Sequence, residues 1–196
     1  MDKDSLNFSL EQKQNATEKN CLLGFLVDVL ETLILSLVLF FLINSLSARI
    51  KVDGSSMEPT LHHGEFILVS KVNYKLGEPQ RGDVVVFGFP RNITQEYIKR
   101  VIGLPGERIR IEDGAVYVNG QELSEPYIES APVYNGEWVV PEDTLFVLGD
   151  NRNNSSDSHN WGMVPRENVV GEAFFIYWPP SDWGTINKAS TASASE

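Results

Sequence analysis

The chain of 196 residues sets 16 Lys plus Arg against 27 Asp plus Glu, for a formal net charge of -11. That balance argues against a nucleic-acid partner, because phosphate binding needs a basic face. It also disfavours electrostatic docking on anionic headgroups. A single cysteine, Cys21, excludes an intrachain disulfide and leaves the redox compartment open.

Residues 1–21 form a polar leader in which Asp2, Asp4, Glu11 and Glu18 offset Lys3, Lys13 and Lys19. A membrane anchor is expected over 22–48. Its charge-free part, Thr32 to Ala48, sits at the short end of the ~17–25 residues that cross a bilayer. Extension back toward Cys21 takes in Asp28 and Glu31, which are costly at membrane depth. A cleavable secretory signal is one competing reading, with small residues at Asn44-Ser45-Leu46-Ser47-Ala48, but the leader is long and acidic for a signal. A buried core helix is the other. The run is nearly all Leu, Ile, Phe and Val rather than striped at a 3.6 period, which favours the anchor. Lys13 and Lys19 on one side balance Arg49 and Lys51 on the other, so the positive-inside rule does not set the orientation.

The remainder, 49–186, is long enough for one domain with a substantial core. It reads as β, with strand-like runs at Phe66–Val69, Asp83–Phe87, Tyr97–Ile102, Arg108–Ile111, Val116–Val118, Leu145–Leu148 and Val169–Trp178. Asp113-Gly114 and Asn119-Gly120 mark tight hairpin turns, since Asn, Asp and Gly tolerate positive φ. Pro105-Gly106, Pro141 and Pro179-Pro180 add further stops. The expected fold class is mainly β: an antiparallel, partly closed sheet domain preceded by one N-terminal transmembrane helix. Residues 187–196, rich in Ser and Ala, read as a frayed tail.

Two residues suggest chemistry. In Gly54-Ser55-Ser56-Met57-Glu58-Pro59, Gly54 permits a sharp turn and Pro59 fixes φ, so a serine is presented at a rigid corner. Ser55 competes with Ser56 for the role. A serine nucleophile needs a base that can release its proton, which Arg cannot do. Period two puts Lys99 on one strand face with Tyr97 and Val101, and Arg100 on the other with Ile98 and Ile102, and both faces are apolar. Lys99 is therefore a candidate base, with Lys71 as its rival. A lysine with the ordinary pKa near 10.4 is neutral in under ~0.1% of molecules at pH 7, so efficient catalysis calls for burial that lowers it by about three units.

Four blocks carry a resemblance: GSSMEPTL at 54–61, RGDVVVF at 81–87, YIKRVIGLPGE at 97–107 and GDNRNNSSDSHNWGMVP at 149–165. With the anchor they span most of the chain. It resembles the bacterial type I signal peptidases, a family of membrane-anchored Ser-Lys endopeptidases, and in particular their cyanobacterial and thylakoid branch. The resemblance implies Ser56 as nucleophile rather than Ser55, and Lys99 as general base rather than Lys71. It implies that the Ser155 hydroxyl bonds the Lys99 amine. Asp157 would pair with a basic neighbour two positions on, here His159 where many relatives have Arg. Some relatives place an oxyanion hydroxyl two residues before the nucleophile, where this chain has Gly54. The expected oxyanion donors are therefore the N–H groups of Ser56 and Gly54, and Ser55→Ala is expected to leave most activity intact. The implied substrates are preproteins bearing signal peptides, cut after small residues at the first and third positions. The implied site is the outer or lumenal face of a plasma or thylakoid membrane, with no metal or cofactor.

Ser56, His159 and Asp157 also allow a Ser-His-Asp reading, although a histidine two residues from the acid rarely serves both partners. His62 and His63 lack ligand spacing for a metal and read as surface loop residues. Among Trp138, Trp161, Trp178 and Trp183, lipid contact and core packing are equally open. A tethered β-domain that only binds a partner, or a self-cleaving repressor relative, are the alternative functions. The second would need a DNA-binding module where the hydrophobic segment stands.

Overall fold

The computed structural model describes residues 3–186, and for 3–23, 75 and 76 the backbone alone. The expected tail, 187–196, lies outside the described residues. The chain divides into two units, residues 1–45 and 46–196.

The first unit is the helix α1, Lys3–Leu46. Within it Gly24–Leu46, 23 residues of mean hydropathy 2.5, is long and apolar enough to cross a membrane. At 1.5 Å per residue that is about 35 Å, against a hydrocarbon core of about 30 Å. Its large side chains are exposed all round, including Leu35, Phe41 and Phe25. Inside this stretch the hydroxyls of Thr32, Ser36 and Ser45 donate to the carbonyls of Asp28, Thr32 and Leu42. Such back-bonding satisfies polar groups that lipid cannot.

Among the described residues the second unit is built from twelve strands, all paired antiparallel. In chain order they are β1 Ser47–Lys51, β2 Phe66–Ser70, β3 Val84–Phe89, β4 Asn92–Gly103, β5 Arg108–Glu112, β6 Ala115–Val118, β7 Gln121–Glu122, β8 Gly136–Val139, β9 Thr144–Leu148, β10 Val164–Pro165, β11 Val169–Trp178 and β12 Gly184–Thr185. The larger sheet has the order β1-β2-β11-β3-β4-β9-β10, with β12 on β11, and the smaller has β7-β6-β5-β8. Two one-turn helices are added, α2 Asn73–Leu76 and α3 Ser158–Trp161.

One boundary differs from expectation. Ser47 and Ala48, assigned from sequence to the end of the anchor, stand in β1 opposite Ser70 and Val69. Nothing apolar distinguishes them from the residues before; cross-strand pairing with β2 decides their conformation.

The run Val84-Val85-Val86-Phe87 is apolar without alternation because both its faces are covered. Val84 and Val86 pack with Met57, Leu61, Ile67 and Val69, whereas Val85 and Phe87 pack with Val101, Leu145 and Val147. A third cluster joins Ile102, Phe146 and Leu148 of the larger sheet to Ile109, Ile111 and Val116 of the smaller. Each such side chain contributes about 1.5–3 kcal/mol by leaving water. β4 is therefore gripped on both faces and by neighbours β3 and β9, which makes it a rigid support for whatever it carries. Trp138 and Trp161 join the core clusters, while Trp178 and Trp183 are exposed.

Candidate active site

Ser56 lies in the turn after β1. Gly54 adopts φ +100°, a conformation that L side chains rarely take, so the sharp corner expected there is present. The Ser56 carbonyl accepts from the Asn151 N–H at 3.1 Å, and the Ser55 carbonyl from Asn151 Nδ2 at 3.1 Å. Met57 and Leu61 anchor the far side of the turn in the core. Gly149 lets this loop close on the turn: a Cβ there would stand 2.4 Å from the Ser56 carbonyl oxygen and 2.2 Å from Ser155 Oγ.

Lys99, 4% exposed, projects from the middle of β4, and its Nζ donates to Ser56 Oγ at 2.7 Å and to the Ile98 carbonyl at 2.9 Å. Desolvation pushes its amine down from 10.5 to about 8, against the carboxylates of Asp157 and Asp150, which pull the other way. About a tenth of molecules then carry the neutral amine at pH 7, roughly three-hundredfold more than for an ordinary lysine. The Tyr97 ring, 5.6 Å from Nζ, helps keep the amine dry. Lys71 is not among the residues that line the cavity around Ser56.

Burial does not separate Lys99 from its neighbour. Arg100 is fully buried on the opposite face, where its Nε and Nη2 reach Asp150 at 2.8 and 2.6 Å and its Nη1 donates to the Gly82 carbonyl at 2.8 Å. Thr60 Oγ1 also donates to Asp150, at 2.5 Å. This buried pair ties the strand that carries Lys99 to the loop that clamps Ser56. Sequence reading passed over Asp150 and Arg152. The latter pairs with Glu125 at 2.6 Å, and the Tyr127 ring lies 4.1 Å from the Arg100 guanidinium and 5.9 Å from that of Arg152. Nothing in the polar run around Asp150 and Arg152 marks either as buried; that shows only in the structure.

Asp157 Oδ1 lies 2.5 Å from His159 Nδ1. Asp157 Oδ2 accepts from the Gly149 N–H at 3.0 Å, and the Tyr134 ring stacks on His159 with centroids 3.9 Å apart. The Ser-His-Asp alternative has no support here: Ser56 Oγ is bonded to Lys99, and His159, though bonded to Asp157, is not among the residues that line the Ser56 cavity.

Two expected contacts are absent. Ser155 Oγ is buried and has no hydrogen-bond partner among the described residues, so the bond to the Lys99 amine is not made. Lys99 directs its donors to Ser56 and Ile98 instead. The Gly54 N–H, expected in the oxyanion hole, donates to His63 Nδ1 at 3.1 Å. The loop after Ser56 returns so that Gly64 pairs with Val52, which brings His63 back over the turn. The Ser56 N–H donates to no group among the described residues.

Ser56 and Lys99 open onto a cavity of about 630 Å³ with Ile50, Val52 and Met57 on one side and Tyr97 and Ile98 on the other. Its lining mixes these apolar side chains with polar ones, among them Lys51, Asp53, Gln95 and Glu96. A family model described as signal peptidase, peptidase S26, matches residues 26–178. The chain belongs to that family. It is similar to a protein named probable signal peptidase I-2 of Synechocystis, at 42% identity over 85% of this chain and 79% of the relative. A signal peptidase I of Leptolyngbya laminosa is also 42% identical, over 82% of this chain and 84% of the relative. Thylakoidal processing peptidase 1 of Arabidopsis thaliana is 39% identical over 66% of this chain and 42% of its own length. The signal peptidase match takes in the membrane-length helix from Leu26, the turn of Ser56, β4 with Lys99 and the clamp loop. Among the described residues no cluster of His, Cys, Asp and Glu could hold a metal ion.

Proposed function

We propose that this protein is a signal peptidase I in which Ser56 is the nucleophile and Lys99 the general base. The observation that carries the reading is the 2.7 Å contact between Lys99 Nζ and Ser56 Oγ at a site where burial favours the neutral amine. Neutral Lys99 takes the Ser56 proton as Oγ attacks the scissile carbonyl, and the ammonium then protonates the leaving amine. The signal peptide remains as an ester on Ser56. Lys99, neutral again, removes a proton from water, which releases the peptide and restores the serine.

The substrate is an extended segment of a preprotein lying between residues 50–57 and 95–99. Backbone pairing there suits cargo of variable sequence. The apolar walls suit small side chains before the cut. The Gly24–Leu46 helix anchors the enzyme in a bilayer, with the β unit on the extracytoplasmic or lumenal side where preproteins emerge. Asp157 holds Gly149 and His159 in place behind the site, and Ser155 fills the space over Gly149.

The test uses the full chain in detergent micelles with a preprotein as substrate. Ser56→Ala and Lys99→Ala each lower cleavage by at least ~10⁴-fold, while His159→Ala keeps measurable activity. Normal cutting by Lys99→Ala, with His159→Ala inactive, overturns the mechanism.

A further inference from the structure

The carbonyl oxygen that gains charge during attack by Ser56 needs donors within about 2.7–3.1 Å. The Ser56 N–H is one. Gly54 supplies no second in this state, because its N–H is held by His63, whose Nδ1 also lies 3.3 Å from Asp53 Oδ1. The residue between them, Ser55, has its hydroxyl oxygen occupied by Asn154 Nδ2 at 3.1 Å. A hydroxyl that accepts through its oxygen still has one O–H to give. That of Ser55 donates to no group among the described residues, and Ser55, Ser56, Lys99 and Asn154 all line the one cavity.

Three hydrogen bonds from residues 151–154 converge on residues 55–56: Asn151 N–H to the Ser56 carbonyl, Asn151 Nδ2 to the Ser55 carbonyl and Asn154 Nδ2 to Ser55 Oγ. The first two fix the backbone. The third fixes a side chain, which backbone support alone does not require. A donor held in place before the reaction needs no reorganisation as charge develops, and is worth more than one that must be ordered from solvent.

We propose that the Ser55 hydroxyl is the second oxyanion donor of this enzyme, and that Asn154 is the residue that positions it. The proposal rests on the Ser56–Lys99 reading and reverses the expectation that Ser55→Ala is tolerated. The hydroxyl keeps its proton throughout; it gives a hydrogen bond that strengthens as the carbonyl oxygen becomes negative, and no proton is transferred.

The experiment measures kcat and KM for full-length variants in micelles, with thermal unfolding as a check on folding. Ser55→Ala lowers kcat by on the order of 10²–10³ with KM within about threefold, the signature of an interaction made in the transition state. Ser55→Cys preserves size but is a weak donor, so it shows the same loss, whereas Ser55→Thr recovers most of the rate. Asn154→Ala loses about tenfold alone and nothing further in the Ser55→Ala background, because it acts only through that hydroxyl. A kcat for a folded Ser55→Ala or Ser55→Cys variant within about threefold of the parent overturns the proposal. If Ser56→Ala or Lys99→Ala still cuts, it is the underlying mechanism that fails.

Discussion

Replacing Asp150 with alanine tests whether the buried ion pair behind the site holds the nucleophile and base together. Asp150 and Arg100 side chains are both fully buried. The carboxylate accepts two hydrogen bonds from Arg100 and one from Thr60. Asp150→Ala deletes all three and leaves a guanidinium in the interior without the carboxylate opposite it, a change that costs about 3–5 kcal/mol. For a unit of this size each kcal/mol lowers Tm by about 2–4 °C, so a fall on the order of 10 °C follows. Arg100→Met with Asp150→Leu removes both charges at similar volume and recovers most of that loss. Thermal unfolding of the full chain in micelles, followed by the fluorescence of its four tryptophans, reads the effect. A loss below about 1 kcal/mol in Asp150→Ala, or a double variant no better than the single, refutes the reasoning.

The amine of Lys99 is lowered to about 8, so kcat/KM should rise tenfold per pH unit below that value and level off above it. The Asp157 carboxylate raises that pKa, so Asp157→Asn moves the rising limb to lower pH; a limb at unchanged pH contradicts the placement of charge. The same lowering implies a stability cost. Between about 8 and 10.5 the unfolded chain holds a proton on this lysine that the folded one has lost, so folding gains stability as pH rises through that window. Lys99→Met therefore stabilises by about 3 kcal/mol at pH 7 and by little above pH 10.5, which denaturant titration at the two pH values measures. Gly149→Ala puts a Cβ into the Ser56 carbonyl and Ser155 Oγ, and is expected to cost about 1–3 kcal/mol and most of the activity. Melting and cleavage close to those of the parent would count against the clamp.

Much of this architecture is written locally. Asp113-Gly114 and Asn119-Gly120 take positive φ at all four residues and join β5 to β6 and β6 to β7. The unbroken apolar run before Phe87 reads as a strand because both its faces are buried. By contrast β8, Gly136-Glu137-Trp138-Val139, has too few apolar positions to mark it, and forms because β5 offers an edge. In the site, Ser56 and Lys99 were legible because a hydroxyl at a constrained corner and a lysine in an apolar strand are each unusual. What joins them is not local. Which face of β4 meets Ser56 depends on where Asp150 takes Arg100, and both faces look alike in sequence. His63 reaches Gly54 only because the loop folds back through the pairing of Gly64 with Val52, which carries no periodic signal. Ser155 turns over Gly149 for the same kind of reason: the side chain goes where a glycine leaves room.

The most direct measurement of the central claim is the titration of the Lys99 side chain itself, by NMR of the full-length enzyme labelled at lysine Cε, with Lys99→Met to assign the signal. The account predicts a midpoint near 8, well below the ordinary 10.5. A midpoint at or above the ordinary 10.4 would mean that the amine stays charged at working pH and is not the base that activates Ser56.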